Sequence, residues 1–334
     1  MLMVRGATKM ALLKRTILLI AALLALCPIP SMAQESYPTR PVRLIVGFAA
    51  GSSGDVAARI ISHKLGEIMS QSVIVENRPG ASSMIATDYV TRAPKDGYTL
   101  LLATVAATIN MTLMPGKGAN IEKDLAPIAL VGSIPNILVV TPTLSVNDVK
   151  GLIALAKEKP NLLLYGASGI GSGPQLTAEL FKQMAGIQMT AVLYPGSAQQ
   201  LTDLIAGRIH VMFSPASTVL GFIYQGTVRA LATTQAKRAS ATPDLPTISE
   251  VALPGFDTGI WFGILAPAGT PTVVIDKVSR ATNEALKDPS VLQQLHTQGL
   301  DELGGSPDDF RRFIRSEIER WSRVIHDMDE AKKK

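Results

Sequence analysis

Short apolar runs alternate with segments of helical period along most of the chain, and that alternation predicts an α/β protein. Val42 to Phe48 reads as strand, Asp55 to Met69 as helix, Ser72 to Glu76 as strand, Met84 to Ala93 as helix and Tyr98 to Ala103 as strand. The crossovers are long enough for a parallel βαβαβ unit. Thr104 to Ala126 contains Pro115, Gly116 and Gly118 with little periodicity, and is expected to be a flap over a cleft or a long surface connection. Asn136 to Thr141 is the next strand and a helix follows from Val146 to Lys159, after which the opening pattern recurs. Leu162 to Tyr165, Met189 to Tyr194, Val211 to Ser214 and Arg229 to Thr233 read as strands, with helices over Leu176 to Met184 and Ala198 to Ile205. Gly259 to Ala266 is one more strand before the closing helices. The last helix is capped by Ser306, has Pro307 at its first position, and carries an apolar stripe of Phe310, Ile314, Ile318, Trp321 and Ile325 that is expected to be core contact.

Each half of this pattern places a loop of small residues between a strand and a helix. The first is GFAAGSSGD, residues 47 to 55, and the second is GASGIGSGPQ, residues 166 to 175. At a helix N-terminus the first backbone N–H groups lack intrahelical partners and the macrodipole is positive, so an anion can be held without a cationic side chain. Gly51 and Gly54 permit close backbone approach, Ser52 and Ser53 add hydroxyl donors, and Asp55 is expected to cap the first turn with its carboxylate. Taken alone, the stretch is equally compatible with a plain strand-to-helix turn. ENRPGASS, residues 76 to 83, reads as a solvated turn on the same sheet edge. Matching loops in two units predict two domains across a cleft, with the chain crossing near Asn136 to Pro142 and returning near Gly259 to Pro267.

Composition becomes informative once the N-terminus is set aside. Arg5, Lys9, Lys14 and Arg15 precede an apolar run from Thr16 to Leu26 and a small-x-small site at Ser31-Met32-Ala33, the pattern of a secretory signal cut after Ala33. Leu26, bulky before Cys27, argues against a lipoprotein signal. Removal of residues 1–33 takes 4 of the 32 basic residues and none of the 27 acidic ones, leaving 28 against 27, or +1. The formal +5 is thus a property of the precursor and gives no reason to expect nucleic acid or anionic membrane as a partner. The remaining chain has no cysteine, so disulfide and thiol chemistry are absent from it. An aromatic content of 5% also argues against an aromatic-lined sugar groove.

Catalytic signatures fail where they are tested. Gly166-Ala167-Ser168 continues as Gly169-Ile170, which breaks a G-x-S-x-G elbow. His63, His210, His296 and His326 lack metal-ligand spacing. Gly169, Gly171 and Gly173 are spaced GxGxG rather than GxGxxG, and the next strand ends at Tyr194-Pro195 with no acid for a ribose. No enzyme activity, metal or cofactor is expected. Neutral hydroxyl and N–H donors at helix starts suit the capture and release of an acidic ligand.

Six motifs, in order, resemble the Bug family, the substrate-binding proteins of tripartite tricarboxylate transporters. They are YPTRPVRLIVGFAAGSSGDVAAR (37–59), VENRPGAS (75–82), APKDGYTLLLAT (93–104), YGASGIGSGPQLTAELF (165–181), AKRASATPDLPTISE (236–250) and WFGILAPAGTP (261–271). The resemblance implies a two-domain, type II periplasmic binding-protein fold with a hinged cleft. Domain 1 would comprise 34–137 and 260–334, and domain 2 would comprise 138–259. It also implies a periplasmic, monomeric receptor that takes a mono- or dicarboxylic or aromatic acid to membrane permease subunits. The ligand positions it points to are Ala49, Gly54 and Asp55 on the first loop and Ser168, Gly169 and Ser172 on the second. The chain's own loops add Phe48, Ala50, Ser52 and Ser53 on the first side and Gln175, Tyr194, Ser197 and Ser214 on the other as expected ligand residues. Gln175 stands where the family often has histidine, Pro195 where a basic residue is frequent and His210 where an acid is frequent. A ligand-sensing subunit for a membrane signalling system would use the same pocket, and a secreted hydrolase is a third reading.

Overall fold

The computed structural model describes residues 37–332 apart from 168–170 and 195, so the expected secretory signal, its expected cut after Ala33, Ser168, Gly169 and Pro195 lie outside the described residues. Ten strands are present among those described. They are β1 (Val42–Val46), β2 (Val73–Asn77), β3 (Thr99–Thr104), β4 (Leu125–Val140), β5 (Leu164–Ala167), β6 (Thr190–Leu193), β7 (Val211–Pro215), β8 (Arg229–Thr233), β9 (Gly259–Pro267) and β10 (Asp301–Glu302).

β1 runs parallel to β2 on one side and β3 on the other, as the crossover lengths predict. β9 then inserts antiparallel between β3 and β4. β4 belongs to both halves of the protein: its first part, from Leu125 to Pro135, pairs with β9, and its last part, from Asn136 to Val140, pairs with β7 and β8. β5 lies parallel to both β6 and β7, which completes the order β2-β1-β3-β9-β4-β7-β5-β6. The change of partners between Pro135 and Asn136 is bridged by side chains. Asn136 N–H donates to Thr234 Oγ1 at 3.0 Å, and Thr234 Oγ1 donates to the Thr258 carbonyl at 2.8 Å.

Helices cover the sheet faces through buried stripes. Ala57, Ala58, Ile61 and Leu65 of the helix Ser53–Met69 are buried at helical spacing. In the second half, Phe181, Phe213 and Phe256 meet in tilted and edge-on contacts, with ring centroids 5.4 and 6.2 Å apart. Of the C-terminal stripe, Phe310, Ile314, Trp321 and Ile325 are buried, while Ile318 is half-buried. Glu317 is buried beside them because it accepts the indole N–H groups of Trp261 at 3.2 Å and Trp321 at 3.1 Å.

Three differences from the sequence pattern have physical reasons. The stretch expected to be a flap or surface connection starts as a helix, Val105–Leu113, buried at Val105, Ala106, Thr108 and Ile109. A buried helix has no polar stripe, so its period is invisible. β4 begins at Leu125 rather than Asn136, because Pro127 and Pro135 interrupt the apolar pattern without ending the strand, which shifts register against β9 near Pro127. The helix Ala216–Tyr224 has no counterpart in the sequence reading, its residues being nearly all apolar.

Candidate ligand site

The C-terminal ends of five strands, from both halves of the sheet, point to one place. β1, β5 and β6 reach it through loops, and β3 and β7 pass into helices directly. A cavity of about 760 Å³ opens there. The N-termini of five helices line it: Ser53–Met69, Val105–Leu113, Gly173–Ala185, Ser197–Ile205 and Ala216–Tyr224. None of its described lining residues is Lys, Arg, His, Asp or Glu. Polar character comes from hydroxyls, among them Ser52, Ser53, Thr104, Ser172, Ser197 and Ser217, and from Gln298. An anion there would meet backbone N–H groups and the positive ends of five helices.

Two of these N-termini are built alike. Gly51 and Gly171 both have left-handed backbone, with φ of 80° and 78°. The following serines are the N-caps: Ser52 Oγ accepts from Asp55 N–H at 3.3 Å, and Ser172 Oγ accepts from Gln175 N–H at 3.4 Å. The third helical residue then reaches back, so that Gly51 N–H donates to Asp55 Oδ2 at 2.9 Å and Gly171 N–H donates to Gln175 Oε1 at 2.7 Å. The result is a capping box displaced by one residue, present once in each half. Its sequence trace, Gly-Ser-x-x-Asp and Gly-Ser-x-x-Gln, is short and takes meaning only when the two loops face each other.

Asp55 is therefore not the cap that the sequence suggests; Ser52 is, because its shorter side chain in extended backbone reaches the N–H three residues on. The Asp55 carboxylate is buried and turned into the loop. It accepts from Arg59 Nε at 3.0 Å and Asn77 Nδ2 at 2.9 Å, while Asn77 Nδ2 also donates to the Phe48 carbonyl at 3.0 Å. Burial pushes this carboxyl up, but the Arg59, Gly51 and Asn77 donors outweigh it and hold the group below its ordinary value. ENRPGASS is thus a brace for the first loop through Asn77. The two segments approach closely, which requires a glycine at the start of the first loop: a β-carbon on Gly47 would stand 1.8 Å from Ser83 Oγ.

The expected ligand residues separate into two groups. Phe48, Ala49, Ala50, Ser52, Ser53, Gly54, Ser172 and Ser197 line the cavity. Asp55 and Gln175 hold its loops in shape, Tyr194 donates its hydroxyl to Asp203 Oδ2 at 2.7 Å, and Ser214 is fully buried on β7. His210 is away from the lining; its Nδ1 accepts the Leu164 N–H at 3.0 Å. Thr104, Val105, Ala106, Ser217, Thr218 and Gln298 join the wall without having been expected there. The first five flank strand ends whose helices the sequence hides.

Comparison with known proteins decides the family. The sequence model of the tripartite tricarboxylate transporter family receptor, TctC, matches residues 57–329. The chain belongs to that family. The receptor is 35% identical to BugT of Bordetella pertussis over 89% of this chain and 91% of that protein. It superposes on an R. palustris protein solved with adipate at a TM-score of 0.83, with 38% identity, covering 88% of this chain and 98% of that one. The periplasmic binding protein BugD superposes at 0.81 with 29% identity, covering 88% and 99%. The receptor has the two-domain binding-protein fold of these neighbours, as its sequence motifs imply. Among its described residues, no helix is long and apolar enough to cross a membrane, and no cluster of His, Cys, Asp and Glu could hold a metal ion.

Proposed function

We propose that the receptor is a non-catalytic periplasmic solute-binding protein that captures a carboxylate-bearing organic acid and hands it to membrane permease subunits of a tripartite tricarboxylate transporter. The convergence of five helix N-termini on one cavity with no charged side chain among its described lining residues carries this reading. A helix end contributes about 0.3–1 kcal/mol to an anion when exposed and up to about 2 kcal/mol when partly buried. Several acting together offset the desolvation of a carboxylate, whereas a cation would be repelled by them and a neutral sugar would gain hydrogen bonds but no charge–dipole attraction. The adipate carried by the R. palustris relative is an acid of the expected kind.

In this mechanism the receptor acts as a monomer of two lobes, 34–137 with 260–334 and 138–259. The change of β4 partners at Pro135 and Asn136, beside the start of β9, supports a hinge there. The acid docks on the first loop, at the N–H groups of Ser53 and Gly54, and closure brings Ser172 and Ser197 over it. Ser168 and Gly169 belong to the same second loop and are proposed to complete it.

A thermal-shift panel of mono-, di- and tricarboxylates, aromatic acids, sugars and amines tests the assignment. Carboxylates should raise the melting temperature by mass action. A shift produced only by sugars or cationic solutes would overturn it.

A further inference from the structure

The cavity is not uniform along its length. Ser197, Leu201 and Ile205 succeed one another at four-residue steps on one face of the helix Ser197–Ile205, and all three line the cavity. At 1.5 Å per residue this face extends about 12 Å from the helix N-terminus. Thr218 and Phe222 repeat the arrangement on the helix Ala216–Tyr224. The hydroxyls of Ser197, Ser217 and Thr218 lie in the first turns of these helices, whereas Leu201, Ile205 and Phe222, further along, are apolar. Thr202 is the exception in type only, because its Oγ1 donates to the Ala198 carbonyl at 3.1 Å, within its own helix.

We infer that these two helix flanks select the body of the ligand, and that the receptor's solute is an acid whose chain beyond the carboxylate is an unsubstituted hydrocarbon or aryl group of about six or more carbons. The inference rests on the carboxylate reading above. With the carboxylate fixed at the helix N-termini, the next part of the ligand lies against Leu201, Ile205 and Phe222. A hydroxyl, amino or branching carboxylate group packed against those three side chains would be desolvated by atoms that offer it no hydrogen bond, and none of the described lining residues carries a charge that could draw it there. A methylene in the same place gains from burial. Compact hydroxylated or tricarboxylic acids are therefore poor ligands, and medium-chain or phenylalkanoic acids are good ones. Leu201, Ile205 and Phe222 are the specificity-determining residues.

The decisive measurement is the dependence of affinity on chain length. Titration calorimetry with butyrate, hexanoate, octanoate and 3-phenylpropionate should show the Kd falling about two- to fourfold per added methylene, with citrate and gluconate weaker than octanoate. In Phe222→Ser the ratio of octanoate to butyrate affinity should collapse toward one. Ile205→Ser should do the same, and Phe222, being exposed, gives the readout without disturbing the core. Measurable acid binding with a flat chain-length dependence, or tighter binding of gluconate or citrate than octanoate, would overturn this inference and leave the carboxylate reading standing. Failure of every acid at every length would overturn both.

Discussion

Gly173 lies so close to Val105 that a β-carbon added to it would stand 3.0 Å from Val105 Cγ1. Gly173 opens the helix that follows β5, and Val105 opens the one that follows β3, so this contact joins two helix N-termini from strands on opposite sides of β4 in the strand order. Gly54 differs, because a β-carbon there would meet Phe262 and Val46 at an ordinary 3.6 and 3.7 Å.

Gly173→Ala should consequently prop the two N-termini apart. Acid affinity is expected to fall about tenfold while the melting temperature of the free protein changes little, since an open arrangement relieves the contact. Gly54→Ala should bind within about twofold of the original protein. Calorimetry on both variants checks the contrast, and equal losses would remove the argument.

Backbone capture can be tested with a proline. Ser53 is the first helical residue after the Ser52 cap, whose φ of −69° and ψ of 160° suit a following proline. Ser53→Pro deletes one N–H at the mouth of the first helix while keeping its fold. Losing a hydrogen bond to a charged group costs about 1.5–3 kcal/mol, so affinity for the acid should drop about 10- to 100-fold at unchanged stability. Ser53→Ala, which keeps the N–H, should fall much less; the reverse ranking would assign the grip to the hydroxyl.

The paired loops differ in charge, Asp55 against Gln175. Arg59 Nη2 lies 2.9 Å from Asp55 Oδ1 and compensates the first. Gln175→Glu keeps an acceptor for Gly171 N–H but adds a negative charge beside the second helix start. Acid binding should weaken about tenfold and recover partly in high salt, which screens the repulsion. Affinity unchanged at low salt would mean that the ligand lies far from this loop.

Burial pulls the His210 imidazole below its ordinary value, and its Nδ1 must be unprotonated to accept the Leu164 N–H. Between the lowered folded pKa and about 6.5 the unfolded chain binds more protons, so stability rises with pH in that window. The His210 contribution is complete above about pH 6.5 and is lost as pH falls through the folded value. Melting curves from pH 7 to 5 should show a larger loss for the original protein than for His210→Asn, whose amide oxygen accepts without titrating.

Much of the first loop was readable in the amino-acid order. The strand Val42–Val46, the glycine and serine run, and the stripe of Ile61 and Leu65 each follow from local periodicity and backbone permissiveness. So do the alternation that predicts α/β layers and the small-residue second loop. The roles of particular side chains were not readable. Asp55 and Ser52 exchange the capping part that composition assigned to the aspartate, because the choice depends on reach within one turn. Tyr194 turns to Asp203, and His210 to Leu164, through contacts set by neighbouring strands and helices rather than by the sequence around them. Thr104 and Ser217 enter the wall only because β3 and β7 end beside β1 and β5 once the sheet is assembled. Local order thus determined that each half of the chain would offer helix N-termini and small residues. The tertiary structure decided that three of those N-termini share one cavity with two more that the sequence hides, since strand order is a matter of long-range pairing, and it alone brought Leu201, Ile205 and Phe222 into that cavity's lining.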